Sequence, residues 1–189
     1  MEADWAVEIG DGAPWIDADW PGFVDLRAHP EAVASIAEAP PGSALREMLL
    51  QLNAPQSHVF TSKCDLWTLA SDGLDPIEYN SSPDEALHGV ALWIDILPRD
   101  AVLFGSFQQQ EAWVRRIVSQ LHAEPLKNGR IDLVIRAAHA ARQDGFALTL
   151  YAAGCGADLS SARSSWQRIL RTAVNVTMDQ SLWASSSIG

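Results

Sequence analysis

Hydrophobic and polar residues alternate along four segments of the chain after residue 57. The two-residue period of strands that bury one face is found in HVFTSKCDLWTL, GVALWIDILPR, GRIDLVIRAA and FALTLYAA. Two longer segments, FQQQEAWVRRIVSQLHA and the stretch that starts near Ser160 or Ser161, place apolar residues three and four positions apart, as amphipathic helices do. The order of these segments predicts two successive strand-strand-helix units.

Loops of different length separate the predicted strands. A polar loop from Ser71 to His88, rich in Asp, Ser, Pro and Asn, joins the first two strands. Asn128-Gly129 predicts a turn before the third strand, and the sequence RQDG at residues 142–145 predicts the turn before the fourth.

The two units also resemble each other residue by residue. The similar pairs are residues 65–70 with 132–137, residues 89–92 with 145–148, and residues 113–115 with 166–168. An internal duplication explains these pairs, and chance similarity of short apolar patterns is the alternative. The duplication predicts an α+β fold in which two ββα units form a four-stranded antiparallel sheet with both long helices on one face. This is a ferredoxin-like sandwich or a permuted variant of one.

The prediction divides the chain into three regions of one domain. Residues 1–57 form an N-terminal arm with two short helices that pack on the core, 58–180 form the duplicated sandwich, and 181–189 form a frayed tail. In the arm, three tryptophans stand among Gly, Pro and Asp, which favours irregular structure that covers a sheet edge or an opening of the core: Trp5, Trp15 and Trp20.

Composition narrows the classes of function. A chain of 189 residues with two cysteines, no apolar run that could span a membrane and an acidic N-terminus predicts a cytoplasmic protein with reduced thiols. The net charge of −11 repels a phosphate backbone, so the sequence argues against nucleic acid as a partner. The same charge suits a basic protein or a cationic small molecule. No cofactor motif is present.

Alternation along the strands sorts the side chains onto two faces. The helix-covered face is predicted to take Cys64, Leu66, Leu92, Ile94, Ile96, Ile131, Leu133, Ile135, Leu148 and Leu150. The opposite, open face then carries a mixed aromatic and charged set that forms the candidate ligand-binding site: Lys63, Asp65, Trp67, Trp93, Asp95, Asp132, Val134, Arg136, Thr149 and Tyr151. Tryptophans beside carboxylates suit a cation, and Arg136 suits a carboxylate. Solvated ion pairs on the sheet are the plainer interpretation.

Cys155 is the second candidate for chemistry. It lies in GCGAD at residues 154–158, before the last predicted helix, where backbone amides and the helix dipole could lower a thiol pKa. No histidine lies beside it in the sequence, so the two glycines are better explained by an ordinary turn. No pair of histidines or cysteines has the spacing of a metal site.

Two hypotheses for the function follow from these residues. The favoured one is a non-catalytic module that binds a small molecule or a basic protein on the open sheet face, which is also a candidate homodimer interface. The alternative is a small enzyme that uses Asp95, Asp132, Arg136 and Tyr151 for acid-base chemistry and anchoring on that face.

Overall fold

The computed structural model describes residues 2–179, and the predicted frayed tail at 181–189 lies outside them. The strands are β1 (Glu2–Glu8), β2 (Ile16–Asp17), β3 (Val59–Ala70), β4 (His88–Pro98), β5 (Gly129–Ala140) and β6 (Gln143–Gly156). The helices are α1 (Ala44–Asn53), α2 (Ala101–Gly105), α3 (Phe107–Ala123) and α4 (Leu159–Thr177), with short 3-10 helices at Pro30–Ser35 and Ser71–Gly73. The fold is therefore α+β, as predicted.

All strands belong to one open, six-stranded sheet with the order β1-β5-β6-β4-β3, and β2 also pairs with β5. The four long strands pair with one another antiparallel, and the two strand-strand-helix segments meet where β4 pairs with β6. β1 and β2 run parallel to β5. The sequence-predicted four-stranded antiparallel arrangement is thus present, extended at one edge by the N-terminal segment.

The N-terminal arm is more regular than its composition predicts. Residues 2–8 form a strand that pairs with β5 from Glu2 opposite Arg130 to Glu8 opposite Arg136. The prediction of irregular structure is wrong here, because backbone pairing with an available strand edge overrides the weak strand preference of Glu, Asp and Ala. Trp15 also departs from the expectation that all three tryptophans are covered, since it is 52% exposed.

The hairpin between β5 and β6 turns earlier than predicted. Its two turn residues are Ala141 and Arg142, with φ of 50° and 65°, and the predicted turn residues Gln143 to Gly145 belong to β6. Gly145 is needed for another reason: a Cβ at this position would lie 2.4 Å from the carbonyl oxygen of Phe104 in α2. The glycine marks a close approach of a helix and not a turn.

The helix-covered face holds the main core. α1, α3 and α4 all contribute to it, and most of the aliphatic strand residues predicted for this face are at most 2% exposed, with Cys64 and Leu66 partly buried. The spacing of three and four positions predicted for α4 is seen in its buried residues, which include Trp166, Ile169, Leu170, Ala173, Val174 and Thr177. The helix starts at Leu159 instead of Ser160 or Ser161, because Asp158 caps it by accepting a hydrogen bond from the Ser161 amide.

Among the described residues, no helix combines the length and the apolar character that a bilayer crossing requires.

Candidate functional site

The face opposite the helices is covered at both ends. At one end, α2 and the segment around β2 pack on the sheet and form a small apolar cluster: Ile16, Ala18, Phe60, Leu97, Phe104, Ala138, Ala140 and Ala147. At the other end, three residues of the long loop, Leu74, Tyr79 and Ala86, pack over Cys155. Among the described residues, the middle of the face lies between these two covered ends.

A groove of about 540 Å³ occupies part of this middle region. Its floor follows one row of the sheet, in which Trp67 lies opposite Ala91, Ala91 opposite Ala153, and Ala153 opposite Arg130. Two alanines between a tryptophan and an arginine leave a depression, because a methyl group cannot fill the height of its large neighbours. Tyr151, Tyr79 and Trp5 also line the groove.

Arg136 is the best-connected charged residue of the groove. Its Nε and NH2 donate to Glu8 Oε2 at 3.0 and 2.7 Å, and NH2 also donates to the Tyr151 hydroxyl at 3.1 Å. Burial lowers the pKa of Arg136, but the hydrogen bonds to Glu8 and Tyr151 oppose this effect, and the net result is a raised pKa. The side chain is only 11% exposed. Arg136 is therefore held in place, and its charge is already paired with that of Glu8 before any ligand binds.

Arg130 forms the second charged pair at the opposite side of the groove. Its Nε and NH2 donate to the two carboxylate oxygens of Asp132 at 2.7 and 2.9 Å, and NH1 donates to Glu78 of the long loop. These hydrogen bonds, that of Asp132 above all, raise the pKa of Arg130. Both arginines of the groove are thus neutralised by carboxylates of the same chain.

Asp95 is a buried carboxylate that does not line the groove. It is 5% exposed and accepts a hydrogen bond of 2.7 Å from the Thr149 hydroxyl, which in turn accepts one of 3.0 Å from Arg136 NH1. Burial raises the pKa of Asp95, although the Thr149 hydrogen bond and the charges of Arg136 and Lys63 oppose this. Asp95 and Thr149 hold Arg136 in place from below.

The predicted site residues therefore separate into three groups. Trp67, Asp132, Arg136 and Tyr151 line the groove. Asp95 and Thr149 are buried beside it. Lys63, Asp65 and Trp93 line a different cavity, at the edge of the sheet formed by β3. Cross-strand pairing places all of these residues except Lys63 on one face. Lys63 lies where β3 loses its regular pairing with β4, and the face does not form a single site.

Sequence reasoning missed the acidic wall of the groove. The carboxylates Asp4 and Glu8 come from β1, and Glu78 comes from the long loop, together with its neighbour Tyr79. A signal for β1 was present: Glu2, Asp4 and Glu8 all stand at even positions, as expected for one face of a strand. Nothing in the sequence of the loop indicates that it folds over the sheet.

Cys155 does not have the surroundings of a nucleophile. It lies within β6 and is fully buried. Burial is the main reason that its pKa is raised rather than lowered, and a hydrogen bond with Ser81 opposes this only in part. A raised pKa leaves the thiol protonated and unreactive. The described residues also contain no cluster of three or more side chains suited to hold a metal ion.

Comparison with known proteins identifies no relative: no protein-family model matches the chain, and no curated protein or solved structure is significantly similar to it.

Proposed function

We propose that the chain is a non-catalytic binding module whose groove on the sheet holds a small organic cation. The observation that carries this proposal is the charge of the groove walls, where four carboxylates face two arginines that are already paired. The carboxylates are Asp4, Glu8, Glu78 and Asp132. An excess of negative charge in a concave site favours a positively charged ligand.

The aromatic lining supports the same class of ligand. Arg136 lies over the Tyr151 ring, with 5.7 Å between its guanidinium carbon and the ring centroid, whereas no cation contacts the Trp67 ring among residues 2–179. Indole is the ring that attracts cations most strongly. Asp4 has no basic partner in the same residues and accepts only the Trp5 amide hydrogen. A cation with an apolar body therefore finds an open ring and an unpaired carboxylate.

The same geometry disfavours the catalytic alternative. Asp132 and Glu8 are each held by an arginine. Asp95, the one carboxyl of the network with a raised pKa, reaches Thr149 and does not line the groove. A general acid or base has to reach the proton that it transfers. Acid-base chemistry by these residues consequently lacks a suitably placed group, and saturable turnover abolished by Asp132→Asn in a folded protein would overturn the binding proposal.

We further propose that residues 58–180 are a circularly permuted ferredoxin-like sandwich that arose by duplication. Its support is the strand order β5-β6-β4-β3 with two ββα units whose inner strands pair. Residues 1–57 then form an addition to this sandwich, and homodimerisation through the sheet face stays a prediction.

Calorimetric titration with three compounds that contain a phenyl ring tests the proposed ligand class. Benzyltrimethylammonium, benzyl alcohol and benzoate share one ring and differ in charge, so the cation is expected to bind at least about tenfold more tightly than either of the others. Ala153→Leu fills the floor of the groove and is expected to abolish this binding. Ala112→Leu, the same change at an exposed position of α3, is the matched control and is expected to leave it unchanged.

Two results of this titration would contradict the proposal. One is equal binding of the cation and benzoate. The other is full cation binding by Ala153→Leu, which would place the ligand elsewhere on this acidic chain. A third result is also informative. If benzyltrimethylammonium fails to bind but a Lys-rich protein binds, and Ala153→Leu abolishes that binding, the groove binds a basic protein instead.

A further inference from the structure

Three of the sequence-predicted site residues, Lys63, Asp65 and Trp93, take no part in the groove and line a second cavity of about 530 Å³. The cavity lies where β3 ends the sheet, and its outer wall is the segment of residues 20–38 that precedes α1. Its lining is mostly apolar: Trp20, Val24, Leu26, Ile36, Leu49, Trp93 and Ile94. The inner wall is rigid sheet, whereas the outer wall consists of turns and one short 3-10 helix.

An irregularity of β3 creates the polar part of this cavity. The register of β3 against β4 shifts between Thr61 and Cys64, so Ser62 and Lys63 lie outside the regular pairing. Within the described part of the chain, the buried Oγ of Ser62 and the buried Nε1 of Trp20 have no hydrogen-bond partner. A buried donor without an acceptor costs stability unless a further group supplies one. Because two such groups belong to residues that line one cavity, a ligand with an acceptor atom can satisfy them.

Lys63, the basic residue on the lining of the cavity, is also incompletely paired within the described residues. Lys63 Nζ lies 4.9 Å from the centroid of the Trp20 ring, and no ion pair of Lys63 occurs within residues 2–179. The ammonium group is a third donor beside Trp20 Nε1 and Ser62 Oγ. These three donors favour a ligand that carries an acceptor atom.

The charge of the acceptor is limited by the surrounding carboxylates. Glu38 and Asp65 line the same cavity. Burial raises the pKa of Cys64, which also lines it, to about 11, and the charges of Glu38, Asp65 and Asp95 contribute to this rise. A thiolate is disfavoured there, and an anionic ligand meets the same repulsion. A neutral acceptor such as a carbonyl oxygen avoids it.

We propose that this second cavity binds a neutral, largely apolar small molecule that presents a carbonyl oxygen to Trp20 Nε1 and Ser62 Oγ. The proposal is independent of the groove and of its cation. Because solvent does not reach either polar atom, entry of the ligand requires a small outward movement of residues 20–24. This segment is held by turns rather than by a helix or a strand, so such a movement breaks no regular pairing.

A matched pair of probes tests the carbonyl. Acetophenone and α-methylstyrene have nearly the same shape, but only acetophenone carries an oxygen acceptor. In proton-nitrogen NMR spectra, acetophenone is expected to shift the indole N–H signal of Trp20 downfield in a saturable manner, because the N–H gains a hydrogen bond. It is also expected to bind about fivefold more tightly than α-methylstyrene, as a net buried hydrogen bond provides. The Trp20 signal is assigned by its loss in Trp20→Phe.

Three variants separate this site from the groove. Val24→Trp fills the cavity and is expected to abolish acetophenone binding, whereas Ala153→Leu fills the groove and is expected to leave it unchanged. Trp20→Phe keeps a ring but removes the donor, so the advantage of acetophenone over α-methylstyrene is expected to fall, with the Trp93 indole signal as the readout. This variant keeps the test valid if Val24→Trp does not fold.

Three outcomes would overturn the proposal. They are the absence of a saturable shift of the Trp20 signal, equal affinity for acetophenone and α-methylstyrene, and loss of binding in Ala153→Leu but not in Val24→Trp.

Discussion

The same strands form both faces of the sheet, but the two faces differ in what packs against them. On the helix-covered face, α4 lies so close to β6 that a Cβ at Gly154 would be 2.3 Å from the Trp166 amide nitrogen. On the opposite face, hydrogen bonds and ion pairs hold Asp95, Thr149 and Arg136, and a groove remains between them and the long loop. Close helix packing is therefore found on one face, and the charged network and the groove are found on the other.

The largest expected effect on stability is that of Gly154→Ala. The added methyl group meets backbone atoms of Trp166, which cannot move without shifting α4, so we expect the free energy of unfolding to fall by about 3 kcal/mol or more. Urea denaturation measures this loss. Gly73→Ala is the control, because a Cβ at Gly73 has nothing within 4 Å. A loss at Gly154 no larger than that at Gly73 would show that helix packing is loose.

Thr149→Val tests how much the polar face adds. The valine keeps the shape but removes the hydroxyl that donates to Asp95 and accepts from Arg136, leaving a buried carboxylate without its partner. We expect a loss of about 1–3 kcal/mol in the free energy of unfolding. Thr68→Val, the same change at an exposed position of β3, is expected to change it by less than about 0.5 kcal/mol.

The pH dependence of stability isolates Asp95. Its pKa is raised in the folded state, mainly by burial, so the folded protein holds the proton more tightly than the unfolded chain does. Stability then falls as the pH rises from the unfolded pKa through the folded pKa, and it is regained on acidification. We expect the wild type to gain stability relative to Asp95→Asn between about pH 7 and pH 4. If the difference in the free energy of unfolding between wild type and Asp95→Asn were constant over this range, it would contradict a raised pKa of Asp95 in the folded protein.

Of these variants, Glu8→Gln is expected to change the free energy of unfolding least, while it weakens binding of the cation in the groove. The Glu8 side chain is 45% exposed, so loss of its ion pair with Arg136 should cost no more than about 1 kcal/mol. The same loss leaves Arg136 unneutralised, so binding of benzyltrimethylammonium should weaken about fivefold. Glu111→Gln is the matched control, because Glu111 pairs with Arg115 on α3. Equal effects of both variants on binding would indicate a diffuse effect of net charge.

The main sheet could be predicted because its information is local. Alternation along each strand is enough to place Leu92, Ile94 and Leu148 beneath the helices and Asp132 and Arg136 on the other face. The strand-strand-helix order, which occurs twice along the chain, also predicts the antiparallel pairing of the long strands. These features depend on residues two or four positions apart, which a single sequence displays directly.

The covering of the open face could not be predicted because it depends on distant residues. Phe104 of α2 closes one end against Gly145, and Tyr79 and Leu74 close the other end over Cys155. Trp20 packs against Lys63, and both residues line the second cavity. Each contact joins a strand to a loop or to a short helix distant in sequence, and such short segments carry no periodicity that shows which surface they meet.

The groove as a cation site is tested most directly by two indole signals in one titration. Trp67 lines the groove, whereas Trp15 is 52% exposed on another part of the chain. With benzyltrimethylammonium, we expect the Trp67 indole N–H signal, assigned through Trp67→Phe, to shift and reach saturation while the Trp15 signal changes little. Parallel, unsaturated shifts of both signals would show that the cation meets exposed rings indiscriminately and that the groove does not bind it.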